Sequence, residues 1–287
     1  MTSQVARKTF GWTGVEVPVI GQGTWMIEGG REAERRAVEA LRAGLDLGMT
    51  HVDTAEMYSN GRAEELAGEA IRGCRHGVFL VSKVLPSNAS YGGTLRACER
   101  SLRRLATDYL DLYLLHWRGG RPIEETMRAM EALVAAGKIR FLGVSNFDVE
   151  DVKEAQAALA KERLAANQVL YHLGDRGVER RLIPYCAGQE IAVVGYSPFG
   201  HHGFPSPGSQ EGKVLAEIAS RNQRTPRQVA LNFLTRRPGV FTIPKASNLE
   251  HVRENAGGCG WTLSAEDLAG IARVFPAPAR DTPLGMI

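Results

Sequence analysis

The sequence has few cysteines, and none of them form a recognisable pair. Its 287 residues include four cysteines, with no Cys-x-x-Cys motif: Cys74, Cys98, Cys186 and Cys259. Cysteines scattered in this way argue against a disulfide framework and against a thiolate zinc site. We therefore expect no metal site and a reducing, cytoplasmic setting.

Long apolar runs and long basic runs are also missing. No segment reaches the roughly 18 consecutive apolar residues of a membrane-spanning helix, and the first residues, "MTSQVARKTFGWTG", lack the apolar core of a secretory signal. The net charge is only +3, and the lysines and arginines are dispersed. We expect neither a membrane nor a nucleic acid as partner, and a monomer is the default expectation.

The glycine-rich fingerprints of nucleotide-binding folds are absent too. Gly21-Gln22-Gly23 is followed by Met26 where a dinucleotide fingerprint needs a third glycine. No Walker-type loop occurs either. An open, doubly wound sheet with a bound dinucleotide would normally carry the first motif, so this fold loses its main support.

What the sequence does contain is an alternation of short apolar runs and amphipathic segments. Helical spacing of apolar residues is clear in 31–47, in 94–105, where Cys98 joins the buried stripe, and in 122–136. Thr225-Pro226 is typical of a helix start, and 197–212 is predicted to be one long loop. The eight apolar runs are "VIGQGTW", "THVD", "VFLVSK", "YLDLYLLH", "IRFLGVSN", "AANQV", "IAVVGYS" and "VFTIPK".

Eight strands that alternate with helices predict an α/β fold with parallel strands joined by helical crossovers. In a chain of this length, the pattern favours one (β/α)₈ TIM barrel that occupies residues 1–287 as a single domain. The segment "TFGWTGVEVPV" alternates around Thr13-Gly14. It predicts a small β-hairpin that covers one end of the barrel.

Polar or aromatic residues stand where the predicted strands end. In a (β/α)₈ barrel these carboxyl ends meet on one rim, where active sites are built. Each residue alone has an ordinary structural explanation, but together they predict one constellation. The residues are Asp53, Lys83, His116, Ser145, Asn146, Gln168, Tyr196, Ser197 and Lys245.

Asp53, Tyr58, Lys83 and His116 form the candidate catalytic group. A lysine ammonium beside a phenol favours the phenolate, and we expect it to lower the pKa of Tyr58 toward working pH. Asp53 would hold the lysine charged. Tyr58 would then donate a proton to an oxygen that gains charge, and His116 would donate a second hydrogen bond to that oxygen. This chemistry suits reduction of a carbonyl by a cofactor that supplies hydride.

At these residues the sequence resembles the aldo-keto reductase superfamily. The resemblance covers nearly the whole chain, in order, and is far more specific than a single short motif. It rests on "HVDTAEMYSNG", "LVSK", "LLHW", "GVSNF", "NQVLYH", "GYSPFG" and "IPKASNLEHVRENAG".

The resemblance implies a barrel closed at the bottom by an N-terminal hairpin. It also implies a nicotinamide cofactor, NADPH with NADH as the alternative, bound across the top without metal. Tyr58 would be the general acid, tuned by Asp53 and Lys83, and His116 would orient a small carbonyl substrate. The substrate would also contact Trp25 and Trp117. The implied cofactor contacts are Thr24 and Trp25 in the pocket lining, Ser145, Asn146 and Gln168 at the carboxamide, Tyr196 stacked on the nicotinamide ring, Ser197, Phe199 and Gly200 at the pyrophosphate, Lys245, Ser247 and Asn248 at the 2′-phosphate, and Glu254 and Asn255 at the adenine.

Two positions depart from the family's pattern. His251 replaces an arginine that many NADPH-preferring members carry, and Arg253 is the candidate to compensate. His201 replaces a serine of the pyrophosphate segment. The segment that follows "AEDLAGIARVF" is short, so we expect an open substrate pocket.

Two other functions remain open on the same residues. Lys83 could be the nucleophile of a Schiff-base lyase, which would leave Gln168, Tyr196 and the "IPK" segment without roles. A nucleotide-sensing regulatory subunit without catalysis would explain the cofactor segments but not the intact group of Asp53, Tyr58, Lys83 and His116.

Overall fold

Short strands and amphipathic helices alternate along the chain. The computed structural model describes residues 5–27, 29–201 and 203–287. The strands in these ranges are β1 (Arg7–Thr9), β2 (Glu16–Pro18), β3 (Gln22–Gly23), β4 (His51–Asp53), β5 (Phe79–Val84), β6 (Leu110–Leu115), β7 (Ile139–Ser145), β8 (Leu164–Leu170), β9 (Ala192–Tyr196) and β10 (Val240–Thr242). The helices are α1 (Gly30–Asp46), α2 (Arg62–Ala70), α3 (Tyr91–Leu105), α4 (Ile123–Ala135), α5 (Val149–Ala157), α6 (Leu182–Gly188), α7 (Gln210–Asn222), α8 (Pro226–Thr235), α9 (Leu249–Ala256) and α10 (Ala265–Val274).

Strands β3 to β10 form one parallel sheet whose strands follow each other in chain order. The first and last strands also meet. The amide of Thr242 donates to the carbonyl of Val19 over 2.9 Å, and the amide of Gly21 donates to the carbonyl of Thr242 over 2.8 Å. The sheet therefore closes into a barrel with helices between its strands, which confirms the predicted (β/α)₈ fold.

The hairpin of β1 and β2 lies against the amino-terminal ends of the barrel strands. The indole of Trp12 donates to the carbonyl of Leu164, the first residue of β8, over 2.8 Å. Phe10 is fully buried among barrel side chains, with its ring centroid 4.8 Å from that of Phe79 and 4.9 Å from that of Phe241. The hairpin thus plugs the bottom of the barrel, as predicted.

The predicted helices occur close to their expected bounds. The segments 31–47, 94–105 and 122–136 correspond to α1, α3 and α4. Thr225 caps α8: its hydroxyl accepts from the amide of Gln228, whose side chain accepts from the amide of Thr225. These caps and stripes are local features, which explains why the sequence predicts them well.

Cys98 lies fully buried in the core between the barrel and its helices. Burial raises the pKa of its thiol to about 12, so the group is inert at neutral pH. The predicted loop 197–212 ends earlier, because α7 begins at Gln210 with Ser209 as its cap. His202 of this loop lies outside the described residues. Within the described residues, no helix combines the length and apolarity needed to cross a bilayer.

Candidate active site

The carboxyl ends of the barrel strands surround a cavity of about 200 Å³. Parallel strands place these ends on one rim, so side chains far apart in sequence meet there. Most residues of the predicted constellation line the cavity. Its lining includes Thr24, Trp25, Asp53, Tyr58, His116, Trp117, Ser145, Asn146, Gln168, Tyr196, Ser197 and Lys245.

Lys83 lies directly behind the cavity wall, with no exposed surface. Its ammonium donates to the carboxylate of Asp53 over 2.5 Å, to the carbonyl of Thr54 over 2.8 Å and toward the hydroxyl of Tyr58 over 3.3 Å. Three acceptors match the three protons of an ammonium. The lysine is therefore held in one position, within reach of the phenol.

Lys83 and Asp53 form a buried ion pair in which each charge stabilises the other. Burial opposes the charge of Lys83, but the carboxylate of Asp53 and the hydroxyl of Tyr58 together outweigh it, and its pKa is raised. Burial also raises the pKa of Asp53, while Lys83 and the side-chain amide of Gln168 act in the opposite direction. That amide donates to the second carboxylate oxygen over 2.7 Å. Each charge thus has a partner that compensates its loss of water.

Tyr58 reaches this pair from the turn that follows β4. The turn includes Ser59 and Asn60 in the left-handed backbone region, with φ of 47° and 53°. Such conformations cost energy for residues with a Cβ and are concentrated at functional sites. They allow the chain to reverse sharply and place the phenol over the end of β5.

The pKa of Tyr58 shifts in the opposite direction to the one expected from the sequence. Burial raises the pKa of Tyr58, and the nearby ammonium of Lys83 offsets only part of that rise. Proximity to lysine is visible in the sequence, but the loss of water around the phenol is a property of the folded pocket. The hydroxyl consequently stays protonated at neutral pH, which is the state that a proton donor requires.

His116 lies beside Tyr58, with their ring centroids 5.7 Å apart in an edge-on arrangement. Burial and the positive charge of Lys83 lower the pKa of His116 to about 2. The imidazole is therefore neutral at physiological pH. A neutral imidazole can donate a hydrogen bond without transferring a proton.

Polar groups from β7, β8 and β9 form the opposite wall. The hydroxyl of Tyr196 donates to the side-chain oxygen of Asn146 over 2.8 Å, and the Asn146 amide donates to the carbonyl of His116 over 3.1 Å. The hydroxyl of Ser145 donates to the carbonyl of Gln168 over 2.9 Å. Asn146 and Ser197 both have left-handed backbones, with φ of 61° and 49°. These bonds fix an aromatic ring and several amide groups on one side of the cavity.

The sequence of this chain matches a family of known reductases over most of its length. The model of the Aldo/keto reductase family matches residues 19–275. The chain belongs to the aldo/keto reductase family. It is 48% identical over 275 residues to methylglyoxal reductase YeaE of Escherichia coli K12, covering 95% of this chain and 96% of that protein. It is 37% identical over 274 residues to glyoxal reductase of Bacillus subtilis 168, covering 92% and 94%.

Solved structures of the family agree with the fold. An aldo/keto reductase from Klebsiella pneumoniae, crystallised in complex with NADP and acetate, superposes with a TM-score of 0.92 at 47% identity, covering 98% of this chain and 99% of that one. A second structure from the same organism, in complex with NADPH, gives 0.91 at 47% identity, covering 98% and 100%. The family and the predicted class of activity, carbonyl reduction by an oxidoreductase, are confirmed.

The remaining predicted cofactor residues lie outside the cavity lining. Phe199 borders a neighbouring cavity under the 197–209 loop, and Gly200 follows it with φ of 81°. Asn248 caps α9 by accepting from the amide of His251. Ser247 is exposed, Glu254 accepts from the hydroxyl of Thr225, and Asn255 is buried on α9.

Sequence reasoning missed part of the pocket wall. Met57, Ile243, Met286 and Ile287 also line the cavity. Met57 and Ile243 are adjacent to predicted motif residues, and that adjacency is a usable signal. Nothing in the sequence around Met286 and Ile287 marks them, because their position depends on how the tail packs.

The tail forms part of the pocket wall, and an open substrate pocket stays a prediction. After α10 the chain returns across the barrel rim and is fastened by Asp281, whose carboxylate accepts from Arg180 over 2.9 Å and lies 3.8 Å from Arg181. Beyond this ion pair, Met286 and Ile287 supply apolar wall to the cavity.

Proposed function

We propose that this chain reduces small aldehydes and α-oxoaldehydes to alcohols with NADPH as reductant, and that Tyr58 donates the proton. The observation that carries the proposal is one cavity wall in which the phenol of Tyr58 lies 3.3 Å from the buried ammonium of Lys83, with the imidazole of His116 edge-on beside it. The relatives named methylglyoxal reductase and glyoxal reductase support the substrate class.

The wall opposite the catalytic group fits a nicotinamide. The half-buried ring of Tyr196 provides a flat apolar face, and the side chains of Ser145, Asn146 and Gln168 provide the donors and acceptors that a carboxamide needs. Lys245 is exposed at the rim, where it can meet a phosphate. When bound, the cofactor supplies the hydride that no side chain can.

Side chains of this protein orient the carbonyl oxygen of the substrate and supply its proton. His116, neutral because of burial, donates a hydrogen bond that orients the carbonyl. Tyr58 donates the proton that the oxygen needs as its negative charge grows. Lys83 stabilises the phenolate that remains, and Asp53 keeps Lys83 in place. Burial therefore keeps the resting phenol protonated, and the contact with Lys83 favours its ionisation as the reaction proceeds.

The walls of the pocket suit a small substrate. Trp25, Trp117 and Met57 face the same cavity as Met286 and Ile287, and the nicotinamide would occupy part of this cavity beside the substrate. Apolar walls exclude water and strengthen the hydrogen bonds from Tyr58 and His116. Two-carbon and three-carbon α-oxoaldehydes meet these limits.

The Schiff-base lyase is the less favoured function. Such an enzyme needs a neutral, accessible amine, whereas Lys83 is fully buried, bound to Asp53, Thr54 and Tyr58, and raised in pKa. The regulatory subunit is distinguished by experiment, because it would bind NADPH without oxidising it.

The proposed function is tested by loss of nicotinamide absorbance with the purified chain. We expect NADPH oxidation with methylglyoxal and glyoxal, and slower oxidation with NADH. A borohydride trap with the same aldehydes should leave Lys83 unmodified. Tight NADPH binding without oxidation of any carbonyl would instead indicate the regulatory function.

The proposal also includes a monomer that acts in the cytoplasm on free small molecules. The modest net charge of +3 and its dispersion support the absence of a nucleic-acid partner. Sedimentation at micromolar concentration, with and without NADPH, measures the oligomeric state.

A further inference from the structure

Arg227 has a position that the proposed mechanism does not use. It lies in the first turn of α8, and its guanidinium carbon is 4.9 Å from the ring centroid of Phe199 and 4.9 Å from that of Phe204. The two rings meet edge-on, with centroids 5.8 Å apart. The arginine therefore rests on aromatic faces of the 197–209 loop.

This position lies between two segments predicted to contact the adenosine half of the cofactor. Phe199 belongs to the pyrophosphate segment. On the other side, the start of α8 is bonded to α9 near the adenine-end residues, since the hydroxyl of Thr225 donates to Glu254 over 2.7 Å and the side chain of Gln228 donates to the carbonyl of Glu254 over 3.0 Å. Arg227 projects from the same turn.

Arg227 is half-buried and forms no ion pair among the described residues. Most other half-buried arginines in the described ranges have a carboxylate partner, such as Arg104 with Glu64 and Arg75 with Asp111. Aromatic faces orient a guanidinium but leave its N–H groups available. A guanidinium that is oriented but not neutralised is suited to bind an anion.

The histidine at position 251, which departs from the family's pattern, also favours an anion-binding role for Arg227. His251 stands where an arginine is expected, and its ring lies 3.2 Å from the side chain of Asn248, the cap of α9. A histidine in this arrangement lacks the fork that binds phosphate oxygens in pairs. Besides Lys245 and Arg253, Arg227 is therefore a further candidate for a cationic contact with the adenosine half of the cofactor.

We propose that Arg227 binds a phosphate in the adenosine half of the dinucleotide cofactor, with Phe199 and Phe204 as the platform that aims it. The inference rests on the proposed function, because it requires that the chain bind NADPH. Arg227 would act in binding rather than in the chemical step.

The test measures cofactor affinity without turnover. Dissociation constants for NADPH, NADH, ADP-ribose and 2′-phospho-ADP-ribose are determined by calorimetry for wild type, Arg227→Met, Arg227→Lys and the control Arg224→Met. Methionine keeps the length and packing on the rings but removes the charge. Arg224 is a matched control, since its guanidinium also rests on an aromatic ring, 5.5 Å from the centroid of Trp261.

We expect Arg227→Met to weaken binding by about ten-fold or more, the usual effect of losing a charge-assisted hydrogen bond, while Arg227→Lys recovers much of it and Arg224→Met changes nothing. A loss confined to the ligands with a 2′-phosphate assigns that phosphate. An equal loss for all four ligands assigns the pyrophosphate.

Unchanged affinity in Arg227→Met would overturn the inference, and so would equal losses in the methionine and lysine variants, because packing alone would explain them. These results differ from failure of the proposed function, in which wild type would bind neither NADPH nor NADH, or would bind NADPH without oxidising it in the presence of a carbonyl.

Discussion

The two ends of the barrel use the same strands for opposite purposes. At the bottom, Phe10 from the hairpin packs against Phe79 and Phe241, and the histidine beside them, His51, is kept neutral, since burial lowers its pKa to about 3. At the top, the strands end in a buried ion pair and strained turns. The bottom of the barrel stabilises the fold. The top contains a buried ion pair and strained turns that selection for stability alone would not favour.

This difference shows where chemistry can reside in a barrel. Burial of aromatic rings needs no specific partner, whereas burial of a charge costs several kcal/mol unless its partner is correctly placed. At the top, Lys83 satisfies this condition with Asp53, Thr54 and Tyr58. Mutations at the two ends should therefore separate activity from stability.

The largest effect is expected at the top. Tyr58→Phe should lower the rate of carbonyl reduction by about 10²- to 10⁴-fold, because it removes only the proposed proton donor. NADPH affinity and the melting temperature should stay close to wild type. Rapid-mixing measurements with NADPH and methylglyoxal test this, and a variant that kept a tenth of the activity would refute the assignment of Tyr58.

Mutations at the bottom of the barrel should lower stability and leave activity unchanged. Phe10→Ala removes a fully buried ring and should lower the free energy of unfolding by about 3–5 kcal/mol. Activity per folded molecule should be unchanged. Urea unfolding followed by activity assays at low temperature measures both, with Phe10→Leu as the milder control. Loss of catalysis in a folded Phe10→Ala protein would mean that the two ends are coupled.

Mutations at the rim of the cavity should affect the preference for NADPH over NADH more than the rate of reduction. Lys245→Ala should weaken NADPH binding by about ten-fold, the effect of one charge-assisted contact, and NADH binding much less. Arg253→Ala is the paired variant, since Arg253 is exposed on α9 and is the other candidate for the 2′-phosphate. Equal losses for the two cofactors in Lys245→Ala would exclude a contact with the 2′-phosphate.

The smallest effect is expected at the tail. Asp281→Asn weakens an exposed ion pair with Arg180, so the loss of stability should stay below about 1 kcal/mol. A loosened tail should raise the KM for methylglyoxal a few-fold, because Met286 and Ile287 line the pocket. Glu39→Gln, which breaks an exposed pair with Arg35, is the control. Identical KM values in the two variants would show that the tail does not shape the pocket.

The sequence predicted features that repeat or follow from local rules. The period of apolar residues predicted the barrel strands and helices, and the ends of the strands predicted the cavity, because parallel strands share one rim. Tyr58, five residues after Asp53, was accessible to prediction through its motif.

What escaped prediction depends on contacts distant in sequence. The pKa of Tyr58 rises because several elements bury the phenol together. The tail is held at the pocket by the ion pair of Asp281 with Arg180, two residues that lie about 100 positions apart in the chain. Arg227 carries no motif, and its importance lies in the two rings that the 197–209 loop brings to it. That residues 1–287 form one domain stays a prediction.

The pH dependence of the chemical step tests the central claim most directly. A proton donor acts in its protonated form, and burial raises the pKa of Tyr58 above its ordinary value, so the single-turnover rate should be constant from about pH 6 to 9 and fall only at higher pH. His116, with a pKa of about 2, should add no inflection in this range. Tyr58→Phe should be slow at every pH and lack the alkaline fall. A wild-type rate that rises through pH 6 to 8, or an alkaline fall that persists in Tyr58→Phe, would contradict proton donation by Tyr58.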